Sequence, residues 1–113
     1  MYLLIDLTID EVELAEPNDV KRLSVAVAHG ADQEKVAELL ASTGAGRPIA
    51  GDDEHMWISR SWLRQHAEGR VGARWSEDFD HMVAKARENG WLDEDGTHLR
   101  AHVEWLAIED GAI

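Results

Sequence analysis

The chain has 113 residues, no cysteine and a net charge of −12, which results from 11 basic and 23 acidic residues. The lack of cysteine excludes disulfides, thiolate metal sites and cysteine nucleophiles. The negative charge opposes contact with a phosphate backbone or an anionic membrane surface, so we expect no nucleic-acid partner and no membrane partner.

The length fits one domain, and we predict that residues 1–113 form it. No apolar run approaches the ~20 residues of a membrane helix. Residues 1–6 lack the basic segment of a signal peptide. From these features we expect a cytoplasmic protein.

The N-terminal third alternates between apolar and polar residues over 2–10, which predicts a strand with one buried face. The parity shifts afterwards, as a one-residue bulge would cause. A turn signal at residues 16–19 precedes a second alternating stretch at 23–27. We expect the two stretches to form an antiparallel hairpin. Apolar residues then face each other in the pairs Val12–Leu23, Ile9–Val25 and Leu7–Val27.

The middle of the chain begins with a predicted helix between Asp32, its N-cap, and Gly44, the left-handed residue after its end. Residues 44–48 are predicted to be a loop, which leads into the acidic residues 51–54. Residues 55–58 follow as a short inner strand.

Two further helices are predicted. A short one would begin at Ser59 or Ser61, and a longer one at Ser76, which would cap it, ending at Gly90. The longer helix has an apolar stripe that we expect to be buried. That stripe consists of Phe79, Met82, Val83 and Ala86.

The C-terminal stretch 97–106 also alternates and predicts a strand, with a helix as the alternative because Leu99, Val103 and Leu106 match helical spacing too. The simplest assembly is an α+β fold. It has a four-stranded, mainly antiparallel sheet made of the N-terminal hairpin, one inner strand and the C-terminal strand. Two to three helices cover one face of that sheet.

The predicted C-terminal strand places His98, Arg100, His102 and Glu104 on one side. His98 and His102 would then lie roughly 13 Å apart, too far to share one metal ion. His102 and Glu104 could share one, but two ligands make a weak site. In the helical alternative, His98 and His102 would be neighbours. We favour a solvated strand face and predict no metal site and no cofactor.

The acidic run Asp52-Asp53-Glu54-His55 could hold a hard cation or tune a general base. It lacks the spacing of a calcium loop, and an acidic loop that enters a strand is the simpler interpretation.

His29 is a further candidate, because the predicted hairpin places it opposite Ile5 at the end of a strand, where ligand sites often lie. A structural histidine bonded to backbone is the preferred interpretation. Five tryptophans are many for this length and suit either a thin core or a binding surface. The candidate ligand-binding residues are His29, His55, Trp57, Trp62, Trp91, His102 and Glu104.

No nucleophile elbow, phosphate loop, dinucleotide fingerprint or zinc-protease motif occurs, so we favour a role without catalysis. The leading hypothesis is an acidic binding protein, of the inhibitor, immunity or accessory-subunit type, that engages a basic protein partner. One alternative is a small-molecule-binding domain or small enzyme, with a Trp/His-lined pocket between sheet and helices. The other is a structural homodimer formed by self-association.

Overall fold

A computed structural model describes residues 1–30 and 32–106. Within these ranges the chain forms six strands and three helices, and the α+β class expected from the sequence is confirmed. The strands are β1 (Tyr2–Asp6), β2 (Glu11–Ala15), β3 (Ser24–Ala28), β4 (Gly46–Ile49), β5 (Asp52–Ser59) and β6 (His98–Leu106). The helices are α1 (Gln33–Thr43), α2 (Arg60–Ala67) and α3 (Trp75–Glu88).

The strands form one mixed sheet in the order β2-β1-β3-β6-β5-β4. β3 runs parallel to both of its neighbours, β1 and β6, whereas the other three pairs are antiparallel. The expected four-stranded, mainly antiparallel sheet is therefore wrong in strand number and in the direction of β3. The sheet is curled, as the contacts of α1 with both edge strands, β2 and β4, show.

The N-terminal hairpin forms earlier than predicted, because the chain reverses at residues 7–10. The Asp6 carboxylate accepts hydrogen bonds from the backbone N–H and the hydroxyl of Thr8. Asp10 adopts a left-handed φ of 52° in the same turn. The side-chain oxygen of Asp6 thus stabilises a turn that contains neither Pro nor Gly.

The predicted antiparallel register between residues 2–14 and 21–29 is wrong. Ile5 pairs with Val12 of β2 and, in parallel, with Val27 of β3, so His29 does not lie opposite Ile5. Alternation indicates which face of a strand is buried, but both directions of pairing satisfy it.

The predicted loop at 44–48 is also wrong, because Gly46 begins β4 and pairs with Ile58 of β5. A Cβ atom at Gly46 would lie 2.0 Å from the carbonyl oxygen of Trp57, so only glycine permits this approach. The inner strand at 55–58 is confirmed and extends to Asp52–Ser59.

The helix boundaries follow the predicted caps at all but one end. Asp32 accepts a hydrogen bond from Lys35 N–H, Ser59 accepts one from Trp62 N–H, and Gly44 has a left-handed φ of 76°. Ser76 is not a cap, since α3 begins at Trp75 and no side chain of the described residues caps it. Residues 98–106 form a strand, which rules out the helical alternative.

The core lies on the face of the sheet to which the register directs the alternate apolar residues of each strand. All three helices contribute to it, through Val36 and Leu40 of α1, Leu63 of α2 and Phe79 of α3. The indole N–H of Trp75 donates a hydrogen bond to the carbonyl oxygen of Pro17, which ties α3 to the loop between β2 and β3.

The turn before β6 is held by one carboxylate, and we call residues 92–98 the Asp93 turn. Asp93 accepts hydrogen bonds from Arg47 and from the backbone N–H groups of Thr97 and His98, at 2.9–3.1 Å. Burial acts to raise the pKa of Asp93, but these hydrogen bonds outweigh it and lower the pKa to about 2.

Candidate functional site

A groove of about 950 Å³, partly open to solvent, is the candidate site among the described residues. It lies between α3, the loop residues 20–23 that precede β3, and the adjoining parts of β5 and β6. A groove of this size is within the range of small-molecule sites.

One wall is a stripe of α3 whose members recur every three or four residues and therefore share a face. It contains Asp78, His81, Met82 and Lys85, and Asn89, the C-cap residue of α3, continues it. The neighbouring stripe of Phe79, Val83 and Ala86 is buried in the core. Because the core fixes that stripe, the orientation of the groove wall is fixed as well.

The opposite wall comes from β5 and β6. Arg100 and His102 alternate with the buried residues Leu99, Ala101 and Val103, so both project from the other side of β6. His55 pairs with His102 across the two strands, and their ring centroids are 5.8 Å apart in an edge-on arrangement.

Trp91 supplies the aromatic surface of the groove. It is 45% exposed, and among the described residues only Ile9 is a more exposed large apolar side chain. Its backbone is fixed on both sides, because Trp91 N–H donates to Ala86 and its carbonyl accepts from Arg100 N–H, both at 2.8 Å. The main chain that carries the indole is thus held in place, and much of the side chain is open to solvent.

The charge of the groove is opposite to that of the chain. Lys21, Lys85 and Arg100 line it, whereas Asp78 is the one carboxylate residue in the described lining. None of these three cations forms a salt bridge with another described residue. By contrast, Lys35, Arg47 and Arg64 are each paired with an aspartate elsewhere.

No protein family, curated protein or solved structure matches this chain. No helix among the described residues has both the length and the apolar character needed to cross a membrane.

His55 is the one groove histidine bonded to a carboxylate in the described structure. Its Nδ1 lies 3.0 Å from an Asp52 oxygen. The pKa of Asp52 is lowered, chiefly by the hydrogen bond from the backbone N–H of Glu54 and further by His55. An imidazole oriented by a carboxylate can bind an anion or accept a proton. Residues 1–30 and 32–106 contain no group of three or more side chains that could hold a metal ion.

The structure brings three of the predicted ligand-binding residues to the groove: His55, Trp91 and His102. His55 and His102 come from separate stretches of sequence, and only the β5–β6 pairing makes them neighbours.

The other four predicted residues lie elsewhere. His29 follows β3 at the end away from the groove. The pKa of Asp6 is lowered mostly by the hydrogen bond from the Thr8 hydroxyl, and the charge of His29 contributes further. Trp62 is buried and stacks on His66. Trp57 lies under the Arg47 guanidinium, 5.9 Å from its ring centroid. Glu104 is exposed on β6 beyond His102 and does not line the groove.

The sequence analysis missed the basic residues of the groove, Lys21, Lys85 and Arg100. One signal for Lys85 was available, because Asp78, His81 and Lys85 form a polar stripe beside the predicted apolar stripe of α3. Met82, predicted in that buried stripe, is only half-buried and lines the groove. The other two are single residues in a loop and a strand, and nothing local distinguishes them.

Proposed function

We propose that the protein is a small-molecule-binding domain whose ligand occupies the groove between α3, residues 20–23 and the β5–β6 strands. The observation that carries this proposal is the exposed indole of Trp91, which stands at a concave site on a backbone fixed by two hydrogen bonds. An exposed aromatic ring in a groove offers a ligand a flat apolar contact area.

The five tryptophans provide a direct test, because each indole N–H gives its own signal in a ¹⁵N–¹H NMR spectrum. Single Trp→Phe variants would assign the signals. With 2-naphthylmethanol as a neutral probe, we expect the Trp91 signal to shift first. The signals of buried Trp62 and Trp75 serve as internal controls and should not move. Binding that shifts other indoles and spares Trp91 would place the ligand outside the groove and contradict the proposal.

The second candidate function is the leading hypothesis from the sequence, an acidic protein that binds a basic protein partner. Ile9 is 59% exposed in the β1–β2 turn and stands next to the exposed side chains of Asp10 and Glu11, with Glu13 following on β2. An apolar centre with charged neighbours is typical of a protein interface. This combination favours docking of a basic peptide on the β1–β2 hairpin.

An arginine-rich peptide tests that candidate at low and at physiological salt. We expect Glu11→Gln/Glu13→Gln to weaken binding more than the matched pair Glu77→Gln/Glu88→Gln on α3, which changes the net charge equally. Equal weakening would mean that only total charge matters. A measurement of mass in solution decides the self-association alternative.

A further inference from the structure

The groove has a polarity that identifies a class of ligand, and this inference rests on the proposed function. We propose that the ligand is a small organic anion, with a flat apolar body placed against Trp91 and Met82 and a carboxylate or similar group bound by Lys85 and Arg100. Lys21 lies on the loop side of the same groove and adds to its positive charge.

Apolar and cationic groups are adjacent at two places in the groove. Met82 and Lys85 are three residues apart on α3 and therefore neighbours on its surface. Trp91 and Arg100 lie opposite each other, because Arg100 N–H donates to the Trp91 carbonyl at 2.8 Å and the next residues, Leu92 and Leu99, form an antiparallel bridge. Each pair thus offers one apolar side chain and one cation, which matches a molecule with an apolar body and one charged group.

The position of Asp78 indicates which end of the groove receives the anion. Asp78 precedes Lys85 by seven residues, which corresponds to about 10 Å along the helix. A carboxylate of the ligand is repelled from the Asp78 end and attracted to the Lys85 end.

The overall charge of −12 does not oppose a ligand of this size. At physiological ionic strength charges are screened beyond about 8 Å, so a small anion inside the groove interacts mainly with the lining. A long polyanion would also meet the acidic surface around the groove. The same charges thus admit a small organic acid and reject nucleic acid.

Three naphthalene probes of similar size test the inference by calorimetry: 2-naphthoate, 2-naphthylmethanol and 2-naphthylmethylamine, which are anionic, neutral and cationic at neutral pH. We expect 2-naphthoate to bind about fivefold or more tighter than the alcohol, with the amine weakest. The preference should be lost in Lys85→Gln/Arg100→Gln. It should persist in Arg74→Gln/Arg87→Gln, which removes equal charge outside the groove.

The possible failures are distinct. Equal affinity for all three probes, with the Trp91 indole signal shifted, would refute the anionic ligand and leave the groove as a binding site. Absence of binding by every probe at millimolar concentration would refute both proposals. A second measurement does not depend on variants. Raising the salt concentration should weaken the binding of 2-naphthoate and leave the binding of 2-naphthylmethanol unchanged, and the opposite result would overturn the inference.

Discussion

The Asp93 turn and the groove both adjoin the start of β6, and they use charge in opposite ways. In the turn, one carboxylate with only 5% of its side chain exposed accepts hydrogen bonds from Arg47, Thr97 and His98. In the groove, Lys85 and Arg100 are exposed and form no salt bridge with any described residue.

The difference separates charges that hold the fold from charges that are available to a ligand. A buried carboxylate with several donors leaves those donors unsatisfied when it is removed. An exposed cation without a partner contributes little to stability and can form a new ion pair without breaking an old one. Changes in the turn should therefore affect stability, and changes in the groove should affect binding.

Asp93→Ala gives the largest expected effect. We expect a loss of about 2 kcal/mol in the free energy of unfolding, because Arg47 and two backbone N–H groups lose a charged acceptor. Urea unfolding measures the change. Asp95→Ala is the matched control, since Asp95 is exposed in the same turn and should change stability by less than about 0.5 kcal/mol. Equal losses of stability in the two variants would show that Asp93 does not hold the fold, and the comparison with the groove would fail.

The stabilisation by Asp93 should also depend on pH in a defined direction. Its pKa is about 2 in the folded protein against an ordinary value of 3.8. The contribution is therefore complete above the ordinary value, declines as the pH falls below it, and is lost below about pH 2. The difference in unfolding free energy between the natural chain and Asp93→Asn should shrink over that window. A difference that stays constant from neutral pH to pH 2 would contradict the assignment.

Local features are easier to predict from the sequence than the groove. The polar run Asp93-Glu94-Asp95-Gly96 indicates a turn by itself, and the caps at Asp32 and Ser59 each bond a backbone N–H only three residues away. The bond from Arg47 to Asp93 is not local and was not predicted. The groove depends on pairings between distant segments. His55 meets His102 only because β5 pairs with β6, and that pairing is not encoded in either strand's alternation.

The direction of β3 could not be predicted for a similar reason. The apolar residues of β3 fit a buried strand that runs in either direction. In addition, the turn at Asp6–Asp10 lacks the Pro and Gly that mark most turns. The missed parallel pairing placed residues 20–23 in a predicted hairpin instead of at the groove.

Lys85→Gln/Arg100→Gln tests the groove side of the comparison. We expect the free energy of unfolding to change by less than about 0.5 kcal/mol, because both side chains are exposed and unpaired among the described residues. The loss of affinity for 2-naphthoate should occur in the same variant. A large loss of stability would show that these cations support the fold, and the contrast with the Asp93 turn would fail.

Asp78→Asn gives the smallest effect and the most specific one. Asp78 is the one carboxylate residue in the described lining of the groove, so its neutralisation should tighten 2-naphthoate binding, by about twofold at low salt. Binding of 2-naphthylmethanol should not change, which separates charge from shape. Asp80→Asn is unsuitable as a control because Asp80 is paired with Arg64, whereas Glu77→Gln on the same helix turn is exposed and lies outside the groove. If Glu77→Gln tightened the binding of 2-naphthoate equally, the effect would come from net charge. The groove's polarity would then not determine which ligand binds.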